Sequence, residues 1–203
     1  MNPAPYEHPN EYAETHFMIV NVGNDEKVLS VVMDREKKLL GSGYEKIIAL
    51  RDMYSKKYRD RAGNTINDTI TMDFVAGFQK TIEKMSEPDK IKMCFAIMEL
   101  EAWFLGMYNI FEQLDHTLTV DYIEKKLGFN LSVIDPQTIF FKPSDKVDDI
   151  LKLVGKRYKK SRDDAESICS KMKMNDFSNA FENERCISFK EFYAVILNLK
   201  AGN

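Results

Sequence analysis

Histidine and cysteine are scarce in this chain, with three of each in 203 residues. His8, His16 and His116 form no His-x-x-x-His or His-x-Glu pattern, so neither a helical zinc-protease motif nor a zinc-deaminase motif is written here. Cys94, Cys169 and Cys186 form no Cys-x-x-Cys pair, which removes the zinc knuckle and the dithiol redox motif. Cys94 lies in an apolar run and reads as a small core residue; this cysteine usage suits a reducing cytoplasm. There is no Gly-x-x-x-x-Gly-Lys-Ser/Thr loop for a nucleotide triphosphate and no Gly-x-Ser-x-Gly nucleophile turn. No apolar run approaches the roughly 18–20 residues that span a bilayer. Residues 1–16 are polar and Pro-containing, without the apolar centre of a signal peptide. Lys and Arg total 29 against 32 Asp and Glu, a net charge of −3, so the chain has no global basic footprint for nucleic acid. A local basic groove or a basic partner remains compatible with that balance.

What is present is the composition of a folded soluble chain, 44% hydrophobic and 30% charged, long enough for one substantial domain or a domain with an appendage. After the lead-in, residues 17–22 form a strand candidate, followed by the turn signal Gly23-Asn24-Asp25-Glu26. Val28 to Met33 is nearly all apolar and reads as a second strand, of the kind covered on both faces. Beyond Gly41-Ser42-Gly43, the residues Tyr44, Ile47, Ile48, Arg51, Tyr54 and Tyr58 fall on one face at i, i+3, i+4 spacing and predict a helix. A polar stretch over 55–67 predicts an exposed loop. Phe74, Val75, Phe78, Ile82 and Met85 mark a further helix that closes at Glu87-Pro88. Residues 91–98 form a third strand candidate.

From Leu100 onward the pattern is helical. Trp103, Phe104, Met107, Ile110, Phe111 and Leu114 make an apolar stripe. Thr119 and Gly128 stand as the start and stop of a short helix. Ser144 is the expected N-cap of a helix running to about Tyr158, and short helices are expected near 162–172, 175–182 and 188–199. The predicted organisation is a segment 1–16, an α/β core with a parallel sheet over 17–115, and a mostly helical extension over 116–203 packed on the same domain.

Two acidic clusters stand where apolar runs break off. Asp34-Arg35-Glu36 follows Val31-Val32-Met33, and Glu99-Leu100-Glu101 follows Phe95-Ala96-Ile97-Met98. Ligands of open α/β sheets gather outside the carboxyl ends of strands, and clustered carboxylates there suit Mg²⁺ or Mn²⁺. Each cluster alone is equally compatible with a solvated turn, and Glu101 with a helix N-terminus that favours negative charge. Trp103 reads as a core anchor. Arg51-Asp52 reads as a surface ion pair with phosphate contact as the alternative. The run Lys156-Arg157-Tyr158-Lys159-Lys160 either complements a helix C-terminus or grips a nucleic-acid backbone.

Several segments together resemble a known family. They are Val31-Val32-Met33-Asp34-Arg35-Glu36, Ile48-Ala49-Leu50-Arg51-Asp52-Met53-Tyr54, Met98-Glu99-Leu100-Glu101-Ala102-Trp103-Phe104-Leu105, Phe141-Lys142-Pro143-Ser144, Arg157-Tyr158-Lys159-Lys160-Ser161 and Cys186-Ile187-Ser188-Phe189. This set is similar to bacterial Toprim-like proteins encoded beside AAA or ABC-type ATPases in defence loci, related to the overcoming-lysogenization-defect nucleases. The resemblance covers roughly residues 17–199. It implies a Toprim-like parallel-sheet core, a Mg²⁺- or Mn²⁺-dependent nuclease acting with an ATPase partner, and an acidic catalytic set of Asp34, Glu36, Glu99 and Glu101. Asp34, Glu36 and Glu101 are the implied metal ligands, and Arg157, Lys159 and Lys160 the implied contacts to a nucleic-acid backbone. The family's first strand ends in a Glu-Gly pair that this chain lacks. Either the chain is shortened, or Asp25 or Glu26 substitutes, or the site is inactive. The alternative reading is therefore a non-catalytic adaptor that binds a protein partner.

Overall fold

Short continuous apolar runs are the strand signal in this chain, yet the run Val28–Met33 is helical and Ile47–Asp52 is a strand. The structure, a computed structural model, describes residues 5–7, 16–182 and 185–200. Most of the expected lead-in lies outside the described residues, but Pro5–Glu7 (β1) pairs antiparallel with Met18–Val20 (β2), Tyr6 opposite Ile19. The expected strand over 28–33 is instead the start of a helix, α1, Val28–Gly41. Val28, Val32 and Glu36 are its buried residues, an i, i+4, i+8 stripe that outweighs the β-branched character of the first turn. Conversely, the expected helix over 44–58 is a strand, β3, Ile47–Asp52, followed by the short helix α2, Lys56–Ala62. The segment expected to be a loop therefore contains α2, whose N-terminus is capped by the Ser55 side chain accepting from the Tyr58 N–H.

After α3 (Asp68–Ile82) the chain enters β4, Ile91–Ala96, as expected, and β4 pairs parallel with β3, Asp52 beside Ala96 at the carboxyl ends. The fold is thus mixed α/β and mostly helical, with a parallel sheet of two strands. Such a small sheet cannot bury itself, and helices cover both faces. On one face Ala49 and Ile91 pack with Val28 and Val32 of α1 and Ile82 of α3, while Phe95 meets the Phe78 ring at 5.3 Å. On the other face Leu50 and Ala96 join the large helical core, which contains Trp103, Phe104, Ile110, Val147, Ile150 and Phe189.

That core is built by α4 (Glu101–Gly106), α5 (Asn109–Leu114), α6 (Val120–Leu127), α7 (Pro136–Ile139), α8 (Pro143–Lys152), α9 (Arg162–Cys169), α10 (Met174–Glu182) and α11 (Ile187–Lys200). The punctuation read from sequence holds at α6, where the Thr119 side chain accepts from the Tyr122 N–H and Gly128 stops the helix in the left-handed region at φ 78°. It shifts at α8. Pro143 takes the first helical position, which its fixed φ favours, and the helix stops at Lys152, well before Tyr158. This leaves 156–160 as a non-helical segment. Ser161 then opens α9 with a capping box closed by Asp164.

Candidate functional site

The carboxyl ends of β3 and β4 carry the ionisable side chains that converge in this fold. Asp52 is the last residue of β3. Its Oδ1 accepts from the Leu100 N–H at 2.9 Å, and its own N–H donates to Asp25 Oδ1 at 3.0 Å. Glu99 and Glu101 follow β4, one before α4 and one at its first residue, and both are buried. Glu99 Oε2 accepts from the Ser144 N–H at 2.9 Å, and Glu101 Oε1 accepts from the Tyr158 hydroxyl at 2.7 Å. The remaining oxygens of the pair face Lys160, whose Nζ lies 2.8 Å from Glu99 Oε1 and 3.3 Å from Glu101 Oε2.

Electrostatics follow from this crowding. Burial, with the charges of Asp25 and Glu101 beside it, pushes the Asp52 carboxyl up to about 7, against the opposing pull of Lys160 and the Leu100 N–H. Burial works against the Lys160 charge, but the hydrogen bond to Glu99 and the charges of Glu101, Glu99 and Asp52 hold the ammonium above its ordinary value. Burial and the neighbouring Glu101 carboxylate raise the Tyr158 phenol as well, so Tyr158 stays a hydrogen-bond donor.

The backbone is strained at the same place. Met98 has φ 62° and Lys160 φ 58°, the left-handed region that non-glycine residues rarely enter. Around Met98 the Glu99 N–H reaches back to the Ile97 carbonyl at 3.1 Å, a γ-turn that aims Glu99 and Glu101 away from the strand direction. Strain held in place by surrounding structure is a mark of functional sites.

The sequence-predicted residues divide sharply. Glu99, Glu101 and Lys160 meet. Asp34 and Glu36 stand on α1, not at a strand end. Asp34 is exposed, and Glu36 is buried with Oε1 accepting from the Glu87 N–H at 2.8 Å. Glu87 precedes β4, so Glu36 lies toward the amino end of the sheet, whereas Asp25, just before α1, touches Asp52 at the carboxyl end. Eleven residues of helical rise separate the two, roughly 16 Å. The expectation that both acidic clusters share one sheet edge is thereby overturned, because the run before Asp34 is helical. Arg157 is held by Asp148 in a two-point ion pair, Nε at 2.9 Å and Nη2 at 3.1 Å, and Lys156 reaches the Leu114 carbonyl and Asp115. Lys159 is exposed. Much of the basic run is thus neutralised by carboxylates of its own chain. Arg51 is no surface ion pair either: it is buried, with its guanidinium 4.9 Å from the Phe78 ring centroid.

Asp52 and Tyr158 are the members that sequence reasoning left out of the site, while Asp25, offered only as a substitute for the missing first-strand glutamate, stands beside Asp52. Asp52 was within reach: the strand-end rule applied to Ile47-Ile48-Ala49-Leu50-Arg51-Asp52 selects it. Tyr158 carried no such signal, since only the fold brings the segment 156–160 to the strand ends.

In donor chemistry, Asp52, Glu99 and Glu101 fit a hard divalent cation, being all-oxygen and in excess of the positive charge beside them. In position they form no ready-made coordination sphere. Among the described residues no group of three or more His, Cys, Asp or Glu stands where it would hold a metal ion, and the place between Glu99 and Glu101 is taken by the Lys160 ammonium. Also among the described residues, no helix is long and apolar enough to cross a membrane. The class that fold and site define is a mixed α/β protein with an acidic centre at the carboxyl ends of a parallel strand pair. Compared with family models, curated proteins and solved structures, the chain matches none.

Proposed function

We propose that this chain is a Toprim-like nuclease subunit of a bacterial antiviral system, working in the cytoplasm with an AAA or ABC-type ATPase partner, and that its centre is Asp52, Glu99, Glu101 and Lys160. The observation that carries the reading is that two buried glutamates just after β4 share one lysine, beside the half-buried Asp52 at the end of the paired strand β3. This is the place where open α/β sheets present ligands. The sequence resemblance supplies the reaction class, hydrolysis of a phosphodiester. Asp34 and Glu36 are replaced in the catalytic set by Asp52, with Asp25 as its neighbour.

Mg²⁺ or Mn²⁺, when bound, would be held by Asp52, Glu99 and Glu101 and would stabilise charge on phosphoryl oxygens. The chain's own residues do the rest. Ser144 and Tyr158 orient the two glutamates through neutral donors. Asp52 is set beside them at the end of β3 by the Leu100 N–H, from which its Oδ1 accepts. Lys160 presents positive charge to a backbone phosphate at the rim of the site, and exposed Lys159 extends that rim.

A second reading, a Toprim-like adaptor without catalysis, is favoured by one observation: Lys160 already neutralises the glutamate pair. Incubating the protein with plasmid DNA and with RNA in Mn²⁺, alone and with the ATPase encoded beside it, separates the two. The nuclease reading expects cleavage that Asp52→Asn abolishes. Absence of cleavage in every combination, with defence undiminished in an Asp52→Asn strain, leaves the adaptor.

A further inference from the structure

Arginines in this fold donate to oxygens of their own chain. Arg51 Nε donates to the Asp52 carbonyl, Arg61 to Asp73, Arg157 to Asp148, Arg162 to Glu166 and Arg185 to the Leu131 carbonyl. Arg59 differs. It is exposed, and among the described residues its guanidinium donates to nothing; it lies over the Tyr54 ring, 5.0 Å from the centroid. A guanidinium is planar, so a ring beneath its face leaves the N–H donors along its edge free and fixes where they point. Tyr54 also places this donor set at the carboxyl ends of the sheet. It follows Asp52 by two residues, its N–H donates to the Met98 carbonyl at 2.7 Å, and its ring meets Phe141 at 5.3 Å between centroids. The chain after Phe141 in turn delivers the Ser144 N–H to Glu99. Arg59 therefore stands at the rim of the acidic centre.

Resting on the reading of this chain as one that acts on nucleic acid, we propose that Arg59 is a phosphate grip: its guanidinium takes the two free oxygens of one backbone phosphodiester of a single strand, with Tyr54 as the positioning residue beneath it. The match is one of charge and shape, because the planar fork of N–H donors fits two oxygens on one anionic group. Arg157 shows the same geometry already filled. Asp148 closes on it at two points, so the backbone contact that the sequence resemblance implies for Arg157 passes to Arg59, whose fork is open.

The test uses the full chain and a fluorescently labelled single-stranded oligonucleotide, read by anisotropy in EDTA so that no cleavage intervenes. Arg59→Ala should weaken binding at least about tenfold, the weight of one charge-assisted hydrogen bond. It should also flatten the slope of log affinity against log salt by roughly 0.7, one phosphate contact on a single strand. Arg157→Ala removes the same charge elsewhere and should leave affinity and slope at the parent's values, with circular dichroism confirming that both variants are folded. A nucleoside monophosphate at the strand's own concentration should fail to displace it; displacement would assign the grip to small phosphates and overturn the strand. No binding by the parent chain, no loss in Arg59→Ala, or equal losses in the two variants also overturns the proposal. Binding that Arg59→Ala weakens, without cleavage by the parent in Mn²⁺, retires the nuclease reading and leaves the phosphate grip standing; cleavage that Arg59→Ala leaves undiminished does the reverse.

Discussion

Asp52 shows how much one carboxyl can be displaced by its neighbours. Its folded-state value near 7 lies above that of an unfolded aspartate, so the folded chain holds a proton that the unfolded chain releases. The stabilising effect is complete below about pH 4, is lost as pH rises toward 7, and stays lost above it. Asp52→Asn keeps an oxygen acceptor for the Leu100 N–H and removes the ionisation. The variant is expected to be more stable than the parent by roughly 2–4 kcal/mol above pH 7, with little difference near pH 4. Denaturant melts at the two pH values check this; equal offsets at both would contradict it. Tyr158 gives the opposite case. Tyr158→Phe leaves Glu101 Oε1 without its 2.7 Å donor in a buried setting and should cost about 1–3 kcal/mol, measured by the same melts. Stabilisation by Asp52→Asn together with lost activity would be the signature of a site that sacrifices stability to function.

At the scale of elements, α1 and β3 exchange the identities that local pattern assigns them. Val28 to Met33 has the composition of a buried strand, but Asp34 to Leu40 continues it as a helix with one buried stripe. Ile47 to Leu50 matches a helical template only because Tyr44, Tyr54 and Tyr58 stand at convenient intervals. Pairing with β4 makes it a strand. The Glu36 carboxylate is consequently a structural acceptor for the Glu87 N–H. Glu36→Ala should destabilise the chain by about 1–3 kcal/mol, and under the proposed nuclease reading it should leave cleavage per folded molecule unchanged, where loss of a catalytic acid would abolish it. Caps, by contrast, were legible: Thr119 and Gly128 bound α6 as read. Gly128→Ala, at φ 78°, should lower stability by about 1 kcal/mol, read as a shift in the denaturant midpoint without a change in slope.

At the scale of the molecule, sheet and helices are tied by one buried polar chain. Trp103 Nε1 donates to Ser188 Oγ at 2.9 Å, and Ser188 Oγ donates to Gln137 Oε1 at 2.8 Å. The same hydroxyl lies 3.4 Å from the Ile97 N–H just after β4. Residues from α4, α7 and α11 are thereby joined to the carboxyl end of the sheet, next to the acidic centre. The single tryptophan sits in this junction, so its fluorescence and the far-ultraviolet circular dichroism should report one coincident unfolding transition. A tryptophan transition that separates from loss of helix would show that the two halves unfold independently.

By itself the sequence determined the helical character of the second half, a strand read over 91–98 and formed over 91–96, the caps at Thr119 and Gly128, and the candidacy of Glu99 and Glu101. These rest on local chemistry: apolar spacing, a capping hydroxyl, a glycine at positive φ, an acidic pair after an apolar run. Only the tertiary structure decided which of Val28–Met33 and Ile47–Asp52 is the strand, because parallel pairing and two-sided burial are non-local. The same decision moved Asp34 and Glu36 away from the acidic centre and brought Asp52 into it. It also placed Tyr158 and Lys160, more than fifty residues beyond Glu101 in the chain, against the two glutamates. No spacing rule reaches across that distance; burial of two carboxylates, which demands a donor and a cation, does.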